Sequence, residues 1–218
     1  MPSSALILVT ACGLYGVVHS LLASHTAKRL AEARWGAAAR RWYRLGFSLL
    51  AGFLLLLPIL WLAWKLPDRV IYRIPFPALI LSGLIQLGAA LALLAGLLQT
   101  GVMRFLGVGQ ALHPETAGPL IAGRRPQELV VDGVYRRVRH PLYTCGLVII
   151  WLSPVMSWNL LALNVGMTGY ILIGIYFEER KLLAEFGEAY AEYKRRTPAL
   201  IPGMKRFHHR DAEDTEKK

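Results

Sequence analysis

The feature that most constrains this chain is the length of its apolar runs. Ala5–Ser24, Trp42–Trp64 and Pro77–Thr100 each hold close to 20 residues or more with almost no charge, and a fourth run covers Leu142–Phe177. Roughly 20 consecutive apolar residues is what an α-helix needs to cross the hydrocarbon core of a bilayer. The fourth run is too long for one crossing, and Pro154, Ser157 and Asn159 interrupt it. It reads as two helices joined by a tight turn around Ser153–Asn159. A backbone in lipid must satisfy its own N–H and C=O groups. The expected fold is therefore an all-α integral membrane protein of about five transmembrane helices. The first run has a long apolar stretch and no basic residues before it, unlike a cleavable leader; it is expected to stay as the first span.

Charge supports this reading and weakens a rival one. The chain carries 25 Lys and Arg against 14 Asp and Glu, a formal net charge of +11. Such a balance invites a nucleic-acid partner, but the positions decide otherwise. Residues 25–44 hold six basic residues, 101–140 hold six, and the stretch after Phe177 holds ten. Residues 65–76 hold three and the turn near Pro154 none, so alternate sides carry 22 against three. Positively charged loops stay in the cytoplasm. The expectation is a multi-pass protein of the cytoplasmic membrane with its N-terminus outside and its C-terminus inside. Membrane lipids are its surroundings, and no nucleic-acid partner is needed.

The two cysteines, Cys12 and Cys145, both fall within spans, and the six histidines lack metal-ligand spacing. No disulfide framework and no metal site are expected. Gly107 and Gly109 do not follow a strand and lack a third glycine, so no Rossmann domain is expected. Gly88, Ala92 and Gly96 form a small-residue stripe that suits close helix packing. His19 and Ser20 are polar groups near the inner end of the first span; an ionisable residue there is a functional candidate, or an interfacial one. The loop 101–140, with Glu115, Arg124, Arg125 and Asp132, is long for a structureless connection, and its Asp132-Gly133 turn signal predicts order. The polar stretch 205–218, with His208 and His209, is expected to be disordered.

Chemistry-bearing residues gather near the ends of the last two spans. Arg139-His140-Pro141-Leu142-Tyr143 opens the fourth. Pro141 suits the first helical turn, and the unpaired N–H groups there favour an anion. Arg136, Arg137 and Arg139 add charge, or simply anchor the helix at the interface. Glu178-Glu179-Arg180 closes the fifth span. At about 100° per residue, Glu179 falls on the stripe of Thr168, Leu183, Phe186, Tyr190 and Tyr193 if the helix runs through, whereas Glu178 lies to one side. A carboxylate facing inward wants a cation. The stretch from Phe186 through Tyr193 and Arg196 reads as an amphipathic interfacial helix, followed by the apolar strip Leu200-Ile201-Pro202. Tyr190 and Tyr193 serve there as interface anchors or as an aromatic wall.

These residues carry a resemblance. Arg139-His140-Pro141-x-Tyr143, a helical hairpin, Glu178-Glu179, Phe186-Gly187-x-x-Tyr190-x-x-Tyr193 and Ile201-Pro202 resemble, in order and spacing, the C-terminal half of the isoprenylcysteine carboxyl methyltransferase and phospholipid methyltransferase superfamily. His19-Ser20 and Arg41-Trp42-Tyr43-Arg44 are similar to its bacterial branch of methanethiol S-methyltransferases and NnrU-like proteins. One departure is Cys145, where the superfamily usually carries glycine two residues after the motif tyrosine; Gly146 follows. The resemblance implies an S-adenosylmethionine-dependent methyltransferase. Its cofactor would be held by Arg139, His140, Tyr143, Glu178, Glu179, Tyr190, Tyr193, Leu200, Ile201 and Pro202. His140, Tyr143 and the helix N-terminus suit the cofactor's carboxylate. Glu179 suits its amine or sulfonium, and the tyrosines and Leu200–Pro202 suit its adenine. The implied acceptor is small or hydrophobic, foremost a thiol, with phospholipid amines and isoprenylcysteine carboxylates as other chemistries of the superfamily. A non-catalytic accessory protein of the NnrU-like kind is the alternative. A transporter fits less well, since there is no inverted repeat. No residue declares itself as the acceptor's base; His140 and Glu178 are the nearest candidates. The expected division of the chain is 1–100 as a three-helix transmembrane part, 101–140 as a cytoplasmic loop, 141–204 as the methyltransferase-like part and 205–218 as a tail.

Overall fold

The computed structural model describes residues 2–120 and 129–203. The expectations for Arg124, Arg125, His208, His209 and the tail 205–218 lie outside the described residues. Four helices have the length and apolarity of a span. They are α1 (Pro2–Ala23), the continuous helix Ala37–Lys65, α5 (Ala78–Thr100) and α9 (Trp158–Phe186). The second is built from α3 (Ala37–Leu49), a π-helical stretch Leu50–Leu56 and α4 (Leu57–Lys65). Their outer faces are bare of protein: Leu54 is 68% exposed, Leu84 61% and Leu98 65%. A surface of that kind needs an apolar solvent.

The fifth apolar helix, α8 (Pro141–Trp151), has only 11 residues. That is about 16 Å at 1.5 Å per residue, half of the ~30 Å hydrocarbon core. The helix stops at Leu152 because Ser153 precedes Pro154, which disfavours helical backbone at the residue before it. Nevertheless α8 reverses the direction of α5. Ser82 Oγ donates to the Leu152 carbonyl at 2.8 Å, Gln86 Nε2 to Ile149 O at 2.9 Å, and Gly96 packs against Leu142. The pair is antiparallel, and α8 lies along the middle of α5 with both ends recessed. Within the expected small-residue stripe, Gly96 makes this close approach, whereas Gly88 meets nothing within 4 Å.

α1 and α9 run parallel. Gly16 lies against the Tyr170 ring and Cys12 against Gly166, so small residues let the two backbones approach. The end where α9 begins is tied by hydrogen bonds to backbone groups and to one carboxylate. β1 (Val70–Arg73) pairs antiparallel with β2 (Val155–Ser157), which occupies the turn expected around 153–159. Buried Asn159 donates from Nδ2 to Ala63 O and Leu66 O, each at 3.1 Å, and its N–H donates to Asp68 Oδ1 at 3.0 Å. Ser4 Oγ donates to Pro67 O, and Ser157 caps α9 through the Leu160 N–H.

The opposite, basic end holds the short helices. α2 (His25–Trp35) is capped by Ser24 and turns into α3 at Gly36. The loop after α5 is ordered by α6 (Val102–Leu106) and α7 (Val108–Leu112). Arg41 Nε donates to Ala111 O at 2.9 Å and Arg44 Nε to Phe105 O at 2.8 Å, fastening both helices to α3. Gly107, at φ +88°, joins them where a Cβ would lie 2.4 Å from the Leu45 nitrogen, so only glycine fits. At 29 residues α9 is ~43 Å long, about 13 Å more than the lipid core. With its start held at the strand end, its last turns, from Glu178 onward, stand beyond the apolar layer at the basic end.

Candidate functional site

α9 carries Glu178 and Glu179 out of the lipid core and ends at Phe186. Gly187, at φ +54°, breaks the helix, and α10 (Glu188–Arg196) turns back. The continuous helix assumed for the stripe through Tyr193 therefore ends at Gly187. The reversal still brings Tyr190 against the carboxylate side, where it is 1% exposed. After α10 the chain is extended and lies along the start of α8. The Arg139 N–H donates to Pro198 O at 2.9 Å, the His140 N–H to Ala199 O at 3.0 Å, and Thr144 Oγ1 to Leu200 O at 2.8 Å.

Arg139 is the hub of this junction. It is 8% exposed, while its neighbours Arg136 and Arg137 are exposed. Its Nε and Nη2 donate to Glu179 Oε1, the former at 2.9 Å, and its Nη1 donates to Lys194 O at 3.1 Å and to Thr197 O. One guanidinium thus neutralises α9's inward carboxylate and caps the last carbonyls of α10, where a cation is favoured. Lys194 Nζ reaches Glu179 Oε2 at 2.7 Å, and His140 Nε2 lies 3.3 Å from Oε1. Glu179, its side chain 11% exposed, is therefore engaged by three groups of its own chain. The inward carboxylate found its cation within the protein.

Glu178 is different. Its side chain is 44% exposed, and its closest ionic neighbour is His140 Nδ1 at 3.8 Å, beyond hydrogen-bond distance. His140 is buried and stacks on Tyr143, centroids 5.7 Å apart. Tyr193 donates its hydroxyl proton to Tyr135 O at 2.6 Å, which ties α10 to the segment before α8. The Tyr190 ring packs edge-on against Tyr193, and its buried hydroxyl lies beside Arg139 without a hydrogen bond of good geometry among the described residues. Burial, and then the negative charge of Glu179, push that hydroxyl up to about 12. Leu200 is half-buried, while Ile201 and Pro202 are exposed beyond it.

The structure brings Arg139, His140, Tyr143, Glu178, Glu179, Tyr190 and Tyr193 into one cluster, with Leu200 at its edge. Sequence reasoning missed Lys194, Thr197 and Tyr135. Lys194 and Thr197 had a signal: Lys194-Arg-Arg-Thr-Pro198 is how a helix ends, and an ended helix offers carbonyls to a nearby guanidinium. Among the described residues no group of His, Cys, Asp and Glu is arranged to hold a metal ion.

No protein-family model and no solved structure matches the chain. Curated relatives do. It is 33% identical over 193 residues to methanethiol S-methyltransferase 2 of Bradyrhizobium diazoefficiens, covering 88% of this chain and 70% of that one. It is 30% identical over 207 residues to the methanethiol S-methyltransferase of Pseudomonas deceptionensis, covering 94% and 75%. A shorter match, 44% identical over 69 residues, links it to the methanethiol S-methyltransferase of Mycobacterium tuberculosis, covering 32% and 28%.

Proposed function

Since this chain belongs to the methanethiol S-methyltransferase family, an integral membrane methyltransferase family with a methyl donor to bind, we propose that it transfers a methyl group from S-adenosylmethionine to a small thiol. The observation that carries the donor assignment is the contrast inside the cluster. An unmatched buried hydroxyl on Tyr190 and an unsaturated carboxylate on Glu178 sit beside a fully paired Arg139–Glu179–Lys194 network. The residues fit this donor. It presents a carboxylate, an ammonium, a sulfonium and an adenosine, and its chemistry is a methyl group on positively charged sulfur.

In this reading Glu178 takes the ammonium or the sulfonium. The sequence favoured Glu179 for that task, but its oxygens are already held by Arg139, Lys194 and His140. Glu179 instead fixes the positions of Arg139 and His140. His140, Tyr143 and the first turn of α8 receive the carboxylate, and Tyr190, Tyr193 and Leu200–Pro202 line the adenosine. Methyl transfer from a sulfonium to a thiolate cancels two charges, so a site poor in water favours it; the rest is alignment. A site at the boundary between the aqueous edge and the lipid suits a polar donor and an apolar acceptor. Residues 141–204 then form the donor-binding part, 101–140 a cytoplasmic loop, and 1–100 the three-helix part that faces the acceptor.

The test is incubation of the purified protein with methyl-labelled donor and either methanethiol or phospholipid, with headspace collection of a volatile labelled thioether. Label appearing only in phospholipid would overturn the thiol assignment. We also propose that the basic end faces the cytoplasm, from the 22-to-three asymmetry of basic residues. A reporter that works only outside the membrane, fused after Lys218, is expected to be silent; an active reporter there reverses the orientation.

A further inference from the structure

His19 lies on α1 one turn from its end, deeper in the bundle than the donor cluster. Three aromatic rings enclose its imidazole: Tyr15 stacked at 5.7 Å, Tyr170 edge-on at 5.5 Å and Phe47 tilted at 4.8 Å. Its Nδ1 is 2.7 Å from the Tyr170 hydroxyl, and among the described residues no hydrogen bond engages Nε2. An ionisable side chain within a span is expensive to keep and marks function unless its polar needs are met. Here half of them are met.

The position joins this imidazole to the donor cluster. Tyr170 sits nine residues before Glu179 on α9, about 13 Å deeper along the helix axis. The Tyr143 phenol, stacked on His140, lies within electrostatic reach of Glu178 on one side and Tyr170 on the other. Tyr170 therefore stands between the level of the cluster and His19 on the face of α9 that meets α1. Nothing assigned to donor binding uses His19, and a small apolar thiol would arrive from the lipid side.

We propose that His19 is the proton acceptor for the thiol, with Tyr170 as the positioning residue that fixes its tautomer; this rests on the methyl-transfer reading above. Nδ1–H donates to the Tyr170 oxygen, which leaves the Nε2 lone pair free for the S–H proton. The sulfur electron pair so released forms the new S–CH3 bond. The bond from that carbon to the sulfonium sulfur breaks, and its electrons neutralise that sulfur. A thioether and a neutral donor remnant result, and the imidazolium returns its proton to water. The requirement is chemical: a thiol with an ordinary pKa of about 8.5 or more is mostly protonated near neutrality, while the thiolate is the nucleophile.

The experiment compares the full-length wild type with His19→Asn, His19→Gln and Tyr170→Phe in detergent. Each is given an alkanethiol and a thiophenol, which is already largely ionised. Donor affinity by calorimetry and the melting temperature are read on the same preparations. His19→Asn is expected to lower kcat/KM for the alkanethiol by about 10²–10⁴-fold, to leave thiophenol transfer nearly unchanged, and to leave donor affinity unchanged. Tyr170→Phe gives a smaller loss with the same preference. An equal loss on both thiols, or a fall in donor affinity that accounts for the loss, overturns the proposal. Failure of both His19 variants to fold also overturns it, since His19 is then structural. A folded wild type that transfers to neither thiol overturns the thiol-transfer reading itself, a result distinct from an active wild type whose His19 variants show no acceptor preference.

Discussion

At the end of the bundle where β1 meets β2, Asn159, Asp68, Ser4 and Ser157 bind backbone groups, and the polar groups described there close on one another. At the basic end Arg139, Lys194 and Glu179 also bind one another, but among the described residues Glu178, beside the Tyr143 phenol, has no close cation and the buried Tyr190 hydroxyl keeps unused capacity. Both ends hold buried polar side chains, so burial does not distinguish scaffold from site. The distinction is whether the hydrogen-bonding capacity is used up. A satisfied cluster holds helices together, whereas one with spare capacity next to fixed charges is prepared for something that arrives later.

The strongest way to break this contrast is to open the paired network itself. Glu179→Gln removes the counter-charge of Arg139 and Lys194 and leaves a buried guanidinium poorly compensated. Breaking a buried ion pair costs about 3–5 kcal/mol, so a clearly lowered melting temperature is expected, with donor affinity falling because His140 and Arg139 lose their support. Detergent melting curves check this. A variant that melts like the wild type while losing donor affinity would return Glu179 to the role of direct ligand.

Glu178→Gln is the sharper partner experiment. Its carboxylate is half exposed, touches the Tyr143 phenol and has no close cation among the described residues, so the fold is expected to be little affected. A charge-assisted contact to the donor is worth ~1.5–3 kcal/mol. The exposure of the group argues for the lower part of that range, roughly a tenfold loss of donor affinity by calorimetry. Unchanged affinity would remove Glu178 from the site.

The smallest effect on function belongs to the other end. Asn159→Ala leaves the Ala63 and Leu66 carbonyls without their side-chain donor, a loss of about 1–3 kcal/mol in stability. Donor affinity is expected to stay at the wild-type value. If it falls in proportion to stability, the two ends are coupled along α9 and the division drawn between them fails.

Much of this was legible in the chain. The apolar runs and the asymmetry of basic residues carried the helices and their alternation, because lipid allows few other answers. Arg-His-Pro marked the start of α8 through helix-terminus chemistry, and Pro154 marked its turn. The brevity of α8 follows from the same marks, since Pro141 and the turn from Ser153 leave room for little more than 11 residues, although the expectation counted it as a full span. The β1–β2 pairing was hidden. Strands of four and three residues, far apart in sequence, have no periodicity to detect. Gly187 was visible, but a glycine inside a helix costs only about 1 kcal/mol, too little to decide between running through and turning. The pairing of Glu179 depended on Lys194 and Arg139, 15 and 40 positions away, a distance over which helical phase gives a direction but no partner.

The backbone stitching of Pro198, Ala199 and Leu200 onto the start of α8 has a consequence for how the molecule is made. Residues 197–200 follow α8 and α9 in the chain, so the junction is the last part of the site to be made. Until that last stretch emerges, the Arg139 and His140 amide groups and one side of Glu179 wait for partners. A chain cut before Thr197 therefore keeps every helix of the cluster and lacks the segment that completes it. The cluster is thus built from two parts of the chain, and the later one closes it.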